Sequence, residues 1–579
     1  MRKVLIANRG EIAVRVARAC AEYGVASVAV YADADADAPH ARLADEAYAL
    51  PDGYLDVDGL LDVAARAGAD AVHPGYGFLS ESAAAAARVE EAGLVWIGPT
   101  PATIARLGDK ALAREVARSV GAPLAPGSDG PVGSADDVVA FAREHGLPVM
   151  IKAAHGGGGR GLRVVRRLEE VTGLYDAAAR EAAAAFGRGE CLVEKYLERP
   201  RHVEVQVLGD GTGGVVVLGT RDCSVQRRSQ KLVEEAPAPF LTSEQEQVLT
   251  TAARDICAAV GYRSAGTVEL LLDADGLISF LEVNTRLQVE HTVTEETTDI
   301  DLVRQQLLLA DGRPVEVTED VRPSGHAIEL RITAEDPGRG FLPGPGTLTR
   351  FDPPGGPGVR VDAGVVAGST VPASFDSLVA KLVVRAPDRT TALRRARAAV
   401  ASFTVEGVPT VLPFHVRLLE DPAFTAPSAR SFAVHTRWVE DECTWLDELG
   451  EKRAEPPHED PVVRTWVEID GRRSLLGLPT ALLAQLSTTG HAQSPDPAQE
   501  AGTAPDASSD GDVSAPAAGI LTSWSAPDGE RVEAGERVAV VEAMKTERPI
   551  AAPLAGVLRH VVTEGAQVGA GDRLGVVEP

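Results

Sequence analysis

Lysine is the first thing this chain lacks. Only 8 of its 57 basic residues are lysine: Lys3, Lys110, Lys152, Lys195, Lys231, Lys381, Lys452 and Lys545; the other 49 are arginine. Lysine is a compact point charge and a possible amine nucleophile, arginine a planar fork. Under so strong an arginine bias, a surviving lysine is more often than usual needed as lysine. Cysteine is scarce too: five, with no CxxC spacing. That gives no disulfide or metal framework and suits a reducing cytosol. No apolar run approaches the ~18 residues of a membrane span. The N-terminus "MRKVLIANRGE" lacks the apolar core of a signal peptide. A cytoplasmic location is the expectation. Positive charge is also short: the net charge of −27 argues against nucleic acid and anionic membranes as partners.

What is present fills several domains, since 579 residues exceed a single core. Residues 2–31 read as strand "KVLIA", turn "NRGE", helix "IAVRVARACAEYG" and strand "VASVAVY", a βαβ start of nucleotide-fold type. The turn has one glycine, not GxGxxG, so a dinucleotide site is not expected. From about Thr103 the pattern becomes antiparallel α+β: "GLPVMIKAA", "LRVV", "CLVEKYL", "HVEVQVLGD" and "GGVVVLGTRDCSVQRRSQK" all read as strands. A third block spans 326–447. Residues 455–486 hold a hairpin whose Asp-Gly marks a tight turn. Residues 487–515 have no apolar period and read as a flexible linker, on the order of 30 Å in span. The tail repeats itself: "AGILTSWSAPDGERVEAGERVAVVEA" (518–543) matches "AGVLRHVVTEGAQVGAGDRLGVVEP" (555–579) with one extra residue in the first copy. Two such copies predict a small quasi-twofold β-sandwich with Lys545 between its halves.

The hairpin "GTVELLLDADGLISFLEVNTRLQVEH" (266–291) carries the chemistry. With Asp275-Gly276 as a two-residue turn, Glu269 falls opposite Glu282. Paired acids at ~5 Å destabilise a sheet unless a cation lies between them. A divalent cation with oxygen ligands, Mg²⁺ with a nucleotide, is the simple remedy. Beyond Glu282 the alternation continues, placing Asn284, Arg286, Gln288 and Glu290 on the same face of one strand. Gly156, Gly157, Gly158 and Gly159 offer backbone N–H groups to phosphates. The loop is not a Walker A motif, which needs Gly-Lys-Ser/Thr. Lys110, Lys152 and Lys231 supply charge for phosphoryl transfer.

These segments resemble biotin carboxylase of the ATP-grasp superfamily, fused to a biotinyl carrier domain as in the α subunit of a bacterial acyl-CoA carboxylase. The resemblance rests on "IANRGEIAVRVARAC", "HPGYGFLSE", "IKAAHGGGGRG", "VEKYLERPRHVEVQVLGD", "RDCSVQRRSQK", "FLEVNTRLQVEHTVTE", "GHAIELRITAED" and "VEAMK". It implies a multidomain α/β and α+β architecture. A Rossmann-like pre-ATP-grasp domain spans 1–108, the ATP-grasp domain 109–325 and the carboxylase C-terminal α+β domain 326–447. A short hairpin region (448–486), a weak candidate for docking the partner, and the linker (487–515) lead to the all-β biotinyl domain, a flattened barrel or sandwich (516–579).

The resemblance also implies roles. Lys110, Lys152 and the glycine loop hold the ATP phosphates, the loop acting as a lid. Glu194, Lys195, Leu197 and His202 line the adenine and ribose pocket, and Gln226 and Leu271 are further cofactor-binding residues. Glu269, Glu282 and Asn284 bind Mg²⁺ or Mn²⁺. Lys231, Arg286, Gln288 and the Val289 backbone hold bicarbonate, and Glu290 is its base. Arg331 steadies the biotin enolate, Tyr76 contacts the biotin ring, and Lys545 carries biotin covalently. Implied partners are a carboxyltransferase β subunit, biotin protein ligase and a second copy of the body within a larger α–β holoenzyme. The acceptor is expected to be acetyl- or propionyl-CoA; methylcrotonyl-CoA, pyruvate or urea, or a non-catalytic carrier scaffold, are the alternatives. Cys223 reads as a small buried hydrophobe, and Lys3, Lys381 and Lys452 as surface or ion-pair residues. The chain departs from the family pattern at Ser229, where histidine is usual, at Thr546, where methionine follows the lysine, and at "PAAG" (516–519).

Overall fold

A computed structural model describes residues 1–128, 130–153, 163–186, 189–451, 462–469, 472–479, 511–516, 519–543, 546–569 and 571–579. The glycine loop 156–159, Lys452, Lys545 and most of the expected linker lie outside the described residues. The chain forms two compact units: Met1–Asp336 with Pro343–Thr444, and Pro337–Leu342 with Trp445–Pro579.

The first unit opens with the expected βαβ. Strand β1 (Lys3–Ile6) leads to helix α1 (Gly10–Tyr23) and back to β2 (Ala26–Tyr31), parallel to β1. With β3 (Glu46–Ala49), β4 (Ala71–His73) and β5 (Val95–Trp96) they form a parallel sheet ordered β3-β2-β1-β4-β5. Both faces of β1 are covered, which is why Val4, Leu5 and Ile6 run without alternation. The two loops at the strand ends are tied together: Asn8 Nδ2 donates to the carbonyls of Pro74 and Tyr76 at 2.7 Å each. Gly75 is required there, because a Cβ would come within 2.8 Å of that amide at a φ of +62°.

A three-stranded antiparallel sheet follows, β6 (Val149–Ala153) between β7 (Arg163–Val165) and β8 (Cys191–Lys195). The largest sheet has eight strands. In order these are β13 (Ile278–Asn284), β12 (Arg263–Leu272), β9 (Arg201–Asp210), β10 (Val215–Arg227), β11 (Gln230–Ala236), β14 (His326–Thr333), β16 (Leu378–Ala386) and β15 (Val359–Ala363). It runs unbroken across residue 325, because β11 pairs antiparallel with β14. Helix α2 (Ser243–Ala258) covers one face through Leu249, Ala252, Ala253 and Ile256, packed on Val203, Val205, Val268 and Leu270.

Two details differ from the sequence reading. The β12–β13 connection is a three-residue loop, Ala274-Asp275-Gly276, with Gly276 left-handed at φ +86°. That register alone would leave the two acids one residue out. A bulge between Glu269 and Leu270 restores it, and Glu269 pairs with Glu282. The second difference is that β13 ends at Asn284. Arg286, Gln288 and Glu290 therefore lie on a turning segment, and Glu290 is the N-cap of helix α3 (His291–Thr298).

In the second unit, strands Val462–Ile469 and Arg472–Pro479 pair as the expected hairpin. The tail is two four-stranded sheets around a core of Leu521, Val538, Val541, Leu558, Leu574 and Val577. Its duplication extends to individual hydrogen bonds. The Trp524 amide donates to Glu564 Oε1 as the His560 amide does to Asp528 Oδ1, and the two rings stack at 3.8 Å. The extra residue of the first copy is Thr522, skipped between Leu521, opposite Val541, and Ser523, opposite Val540. Ala543 pairs with Thr546, the two residues that flank 544–545 in sequence.

Candidate active site

The floor of the site is the polar face of β9 and its neighbours. His202, Glu204 and Gln206 alternate with valines, a pattern that ordinarily marks a wet face. All three are buried. Glu204 faces Glu269 on β12 and Arg221 on β10 across the sheet. Two carboxylates so placed need cations, and two are present. The Arg221 guanidinium, fully buried, donates to Glu204 at 2.5 Å, Gln206 at 2.7 Å, Thr294 at 2.8 Å and Thr267 at 3.0 Å. Lys231 Nζ donates to Glu290 at 2.6 Å, Glu204 at 2.8 Å and Glu269 at 3.1 Å. Donor atoms of His202, Glu204 and Glu269, and of Glu204, Cys223 and Glu290, are close enough to share a metal. The ammonium of Lys231, within 3.1 Å of Glu204, Glu269 and Glu290, already supplies the cation there.

Glu290 is fully buried between two cations. One oxygen accepts from Lys231, the other from Arg331 Nη2 at 3.0 Å. Burial would raise its pKa, but Lys231, Arg331 and Arg221 outweigh burial and hold it well below the usual carboxylate range. Burial is likewise outweighed at Lys231, whose facing carboxylates keep it charged. Arg331 also donates to Glu234 at 2.6 Å. Cys223 Sγ lies 3.9 Å from Glu290; burial pushes its thiol well up, so it is an inert neighbour.

The network continues away from Glu290. Gln288 Nε2 donates to Glu269 at 3.2 Å and His202 Nε2 lies 3.0 Å from the other oxygen of Glu269. Arg286 donates to Gln288 at 3.0 Å, Asn284 at 2.8 Å and Glu81 at 2.9 Å. Lys110 reaches Glu282 at 3.2 Å with its side chain otherwise in solvent. Glu269, Glu282 and the Asn284 amide thus present hard oxygen atoms at one edge of the sheet, and the Asn284 Nδ2 has no partner among the described residues. That donor set fits Mg²⁺.

Lys152 pairs with Glu194 on the three-stranded sheet. Lys195 points the other way, as period-2 alternation requires; its ammonium donates to the Gly146 and Leu147 carbonyls. What Lys195 offers on the Glu194 side is backbone. Leu197 is buried and Leu271 half-buried, and Gln226 donates to the Cys223 carbonyl at 3.1 Å beside His202. Tyr76 is half-buried in the loop that Asn8 holds. A groove of about 650 Å³ lined by Lys195, Arg199, Arg201, Phe240, Phe432 and His435 does not include the clustered acids. Ser229 sits with Arg228 in a two-residue turn, both left-handed at φ +64° and +49°.

Sequence reasoning missed Glu204, Arg221, Glu234 and Glu329. Glu234 and Glu329 face each other on β11 and β14, both fully buried. Burial, reinforced by that mutual repulsion and opposed by Arg331, pushes Glu234 up to about 8; Glu329 rises to about 7, against the pull of Lys381 and Arg331. Raised carboxyl pKa values mean the folded state holds protons the unfolded chain has lost. Their stabilising contribution is complete below the unfolded value near 4.5 and is lost as pH rises through about 7 to 8. The melting temperature of the first unit should therefore fall from about pH 4.5 to about pH 8, and Glu329→Gln should flatten that slope. An unchanged slope in the variant would refute this origin.

Comparison with known proteins identifies the family. Family models match in chain order: "Biotin carboxylase, N-terminal domain" over residues 1–104, "Carbamoyl-phosphate synthase L chain, ATP binding domain" over 109–318, "Biotin carboxylase C-terminal domain" over 329–441 and "Biotin-requiring enzyme" over 511–577. The chain belongs to the biotin carboxylase family and carries its own biotinyl domain, making it an ATP-dependent ligase that uses ATP, Mg²⁺ and biotin. It is 52% identical over 576 residues, 97% of this chain and 96% of the relative, to the biotin-dependent acyl-coenzyme A carboxylase alpha3 subunit of Mycobacterium leprae. It is 45% identical over 445 residues, 76% of this chain and 93% of the relative, to the 2-oxoglutarate carboxylase small subunit of Hydrogenobacter thermophilus. The crystal structure of that organism's 2-oxoglutarate carboxylase biotin carboxylase domain dimer, with MgADP, ADP and bicarbonate, aligns with a TM-score of 0.69 at 44% identity, covering 77% of this chain and 98% of that one. Among the described residues no helix is long and apolar enough to cross a membrane.

Proposed function

We propose that Glu290 is the base that deprotonates bicarbonate, that Lys231, Arg286, Gln288 and the Val289 backbone hold the anion, and that Arg331 faces the biotin ring with Tyr76. The observation that carries this reading is the clamp on Glu290, a buried carboxylate held by Lys231 at 2.6 Å and Arg331 at 3.0 Å. Held by both, it is a weak base. An anion that draws Lys231 to itself removes part of that stabilisation and raises the basicity of Glu290 as substrate arrives.

The base takes the bicarbonate proton at the oxygen that Lys231 releases. The bicarbonate oxygen then attacks the γ-phosphorus, the γ-phosphoryl–oxygen bond to ADP breaks, and carboxyphosphate and ADP result. Lys110, Lys152 and Lys231 neutralise phosphate charge in this step, which is mainly positioning and electrostatics. Mg²⁺ held by Glu269, Glu282 and Asn284 would supply further neutralisation. Carboxyphosphate would yield CO₂ and phosphate in the site, and Arg331 would balance the negative charge that develops on the acceptor. Biotin, when bound to Lys545, would supply the ring nitrogen that takes up the CO₂, its proton passing to that phosphate. Glu269→Gln should weaken Mn²⁺ binding in the presence of ADP by roughly tenfold or more, read by isothermal titration; unchanged binding would remove Glu269 from the ligand set.

The acceptor we infer is an acyl-CoA, acetyl or propionyl, reached through a separate carboxyltransferase β subunit. The relative whose similarity extends through the tail carries an acyl-CoA carboxylase name, whereas the 2-oxoglutarate carboxylase relative matches only the body. Domain bounds at 108, 325 and 447, a cytoplasmic site and a homodimer of bodies belong to the same proposal. Transfer of labelled carboxyl to acetyl-CoA, propionyl-CoA and pyruvate, with a candidate carboxyltransferase β subunit added, decides the acceptor; transfer to pyruvate alone would overturn the acyl-CoA reading.

A further inference from the structure

Lys381 has no part in the chemistry above, yet it is the most deeply buried lysine of the first unit, with no exposed surface. It lies on β16 directly opposite Arg331 on β14, so the two cations share one face of the sheet. Arg331 points to the Glu290 carboxylate. Lys381 Nζ donates at 2.8 Å to the carbonyl of Val289, the residue immediately before Glu290. Its counter-ion is Glu11 on α1, 3.3 Å away. Among the described residues no hydrogen bond reaches either oxygen of Glu11, so this ion pair only partly offsets its burial, which pushes its pKa up to about 7. Asp362 faces Lys381 from β15, Glu329 lies near on β14, and the ammonium is 6.0 Å from the Tyr76 ring centre.

A buried ammonium surrounded by carboxylates would ordinarily spend its donors on them. Here the short bond goes to a main-chain carbonyl. That carbonyl belongs to the peptide joining Val289 to Glu290. Its orientation sets both the direction of the Val289–Glu290 backbone and the N-cap geometry of α3. The segment has left the sheet at Asn284 and has no ladder to hold it; besides Lys381, the His291 ring contacts the Gln288 carbonyl at 2.7 Å. An arginine would not replace a point donor at this distance in a packed interior. The lysine scarcity of the chain fits a requirement of this kind.

We propose that Lys381 is a positioning residue of the carboxylation site: balanced by Glu11, its ammonium clamps the Val289 carbonyl and fixes the peptide from which the bicarbonate contact and the base both extend. This rests on the assignment of bicarbonate to Arg286, Gln288 and Val289. It makes helix α1, at the start of the chain, part of the bicarbonate corner.

The test uses the full biotinylated chain and compares KM for bicarbonate with KM for ATP. Lys381→Met should raise the bicarbonate KM about tenfold or more and leave the ATP KM within about twofold. It also leaves the Glu11 carboxylate buried and unpaired, which lowers the melting temperature. Adding Glu11→Gln removes that buried, unpaired carboxyl and should recover the melting temperature. If Lys381 positions the site, the bicarbonate KM of the folded double variant stays high although stability returns. Recovery of the bicarbonate KM together with stability, or an equal rise in both KM values, would overturn the inference and leave Lys381 a structural residue. Arg286→Ala, measured alongside, tests the underlying assignment: an unchanged bicarbonate KM there would fault the site rather than the clamp.

Discussion

Glu290→Gln should abolish biotin-dependent ATP turnover, and with it carboxylation of the carrier, while nucleotide binding persists. The substitution keeps shape and removes the one property that matters, an oxygen able to take a proton. Loss of a positioned general base costs typically about 10² to 10⁴ in rate. A second effect adds to it. Both Glu290 oxygens accept from cations, Lys231 and Arg331. An amide has one acceptor and one donor end, so its NH₂ must face one of these cations with nothing to accept. Lys231 then loses one of its three carboxylate partners, Glu204 and Glu269 remaining. ADP affinity should stay near that of the parent chain, because none of the residues assigned to the nucleotide touches Glu290 except through Lys231. Turnover within about tenfold of the parent would mean that another group, such as a substrate phosphate, is the base.

Lys545→Arg should produce a chain of unmodified mass that hydrolyses ATP with free biotin at the parent rate and transfers nothing to an acceptor. The amide to biotin needs a primary amine, and the guanidinium is not an equivalent nucleophile. The flanking strands are fixed by pairing from Arg537 opposite Ala551 to Ala543 opposite Thr546. Arginine in the connection between them leaves that framework intact, so the loss is chemical. The body keeps its clamp of Lys231, Glu290 and Arg331, all outside the carrier unit. Intact mass and tryptic mapping give the result directly. A biotinyl group found on any other lysine would refute the assignment. Thr546 bears on how completely the parent chain is modified, which the same spectrum reports.

How much was legible in the sequence varies with the physics. The Glu269–Glu282 pairing was reached from a two-residue turn that does not exist. A three-residue loop and a compensating bulge differ from it by opposite amounts, so the partners coincide. Period-2 alternation past Asn284 puts Arg286, Gln288 and Glu290 on one strand face; they are on a turn, where Arg286 donates to Gln288, Gln288 to Glu269, and Lys231 bridges Glu269 and Glu290. The polar face of β9 was visible as alternation, but alternation cannot distinguish a wet face from a buried polar floor. That distinction needs Arg221 on the neighbouring strand β10 and Lys231 one strand further, on β11. The sequence marks Lys381 as a surface or ion-pair residue; its ion pair with Glu11 is present, and its burial is what the local sequence does not show. The duplicated tail was legible down to its single extra residue, because repeats preserve spacing; only the register identifies that residue as Thr522.

The unbroken eight-stranded sheet has a consequence for anyone who would dissect this enzyme. Lys231 and Glu234 ride on one strand and Arg331 on its hydrogen-bonded neighbour, so their separation is fixed by the ~4.8 Å spacing of adjacent strands and by no hinge. Sequence boundaries invite a cut near residue 325. Such a cut would sever the crossing between β11 and β14 and leave two bare strand edges, each a template for the wrong partner. The halves expressed apart should aggregate, and neither would retain a gripped Glu290. The body has to be inherited, expressed and engineered as one plate.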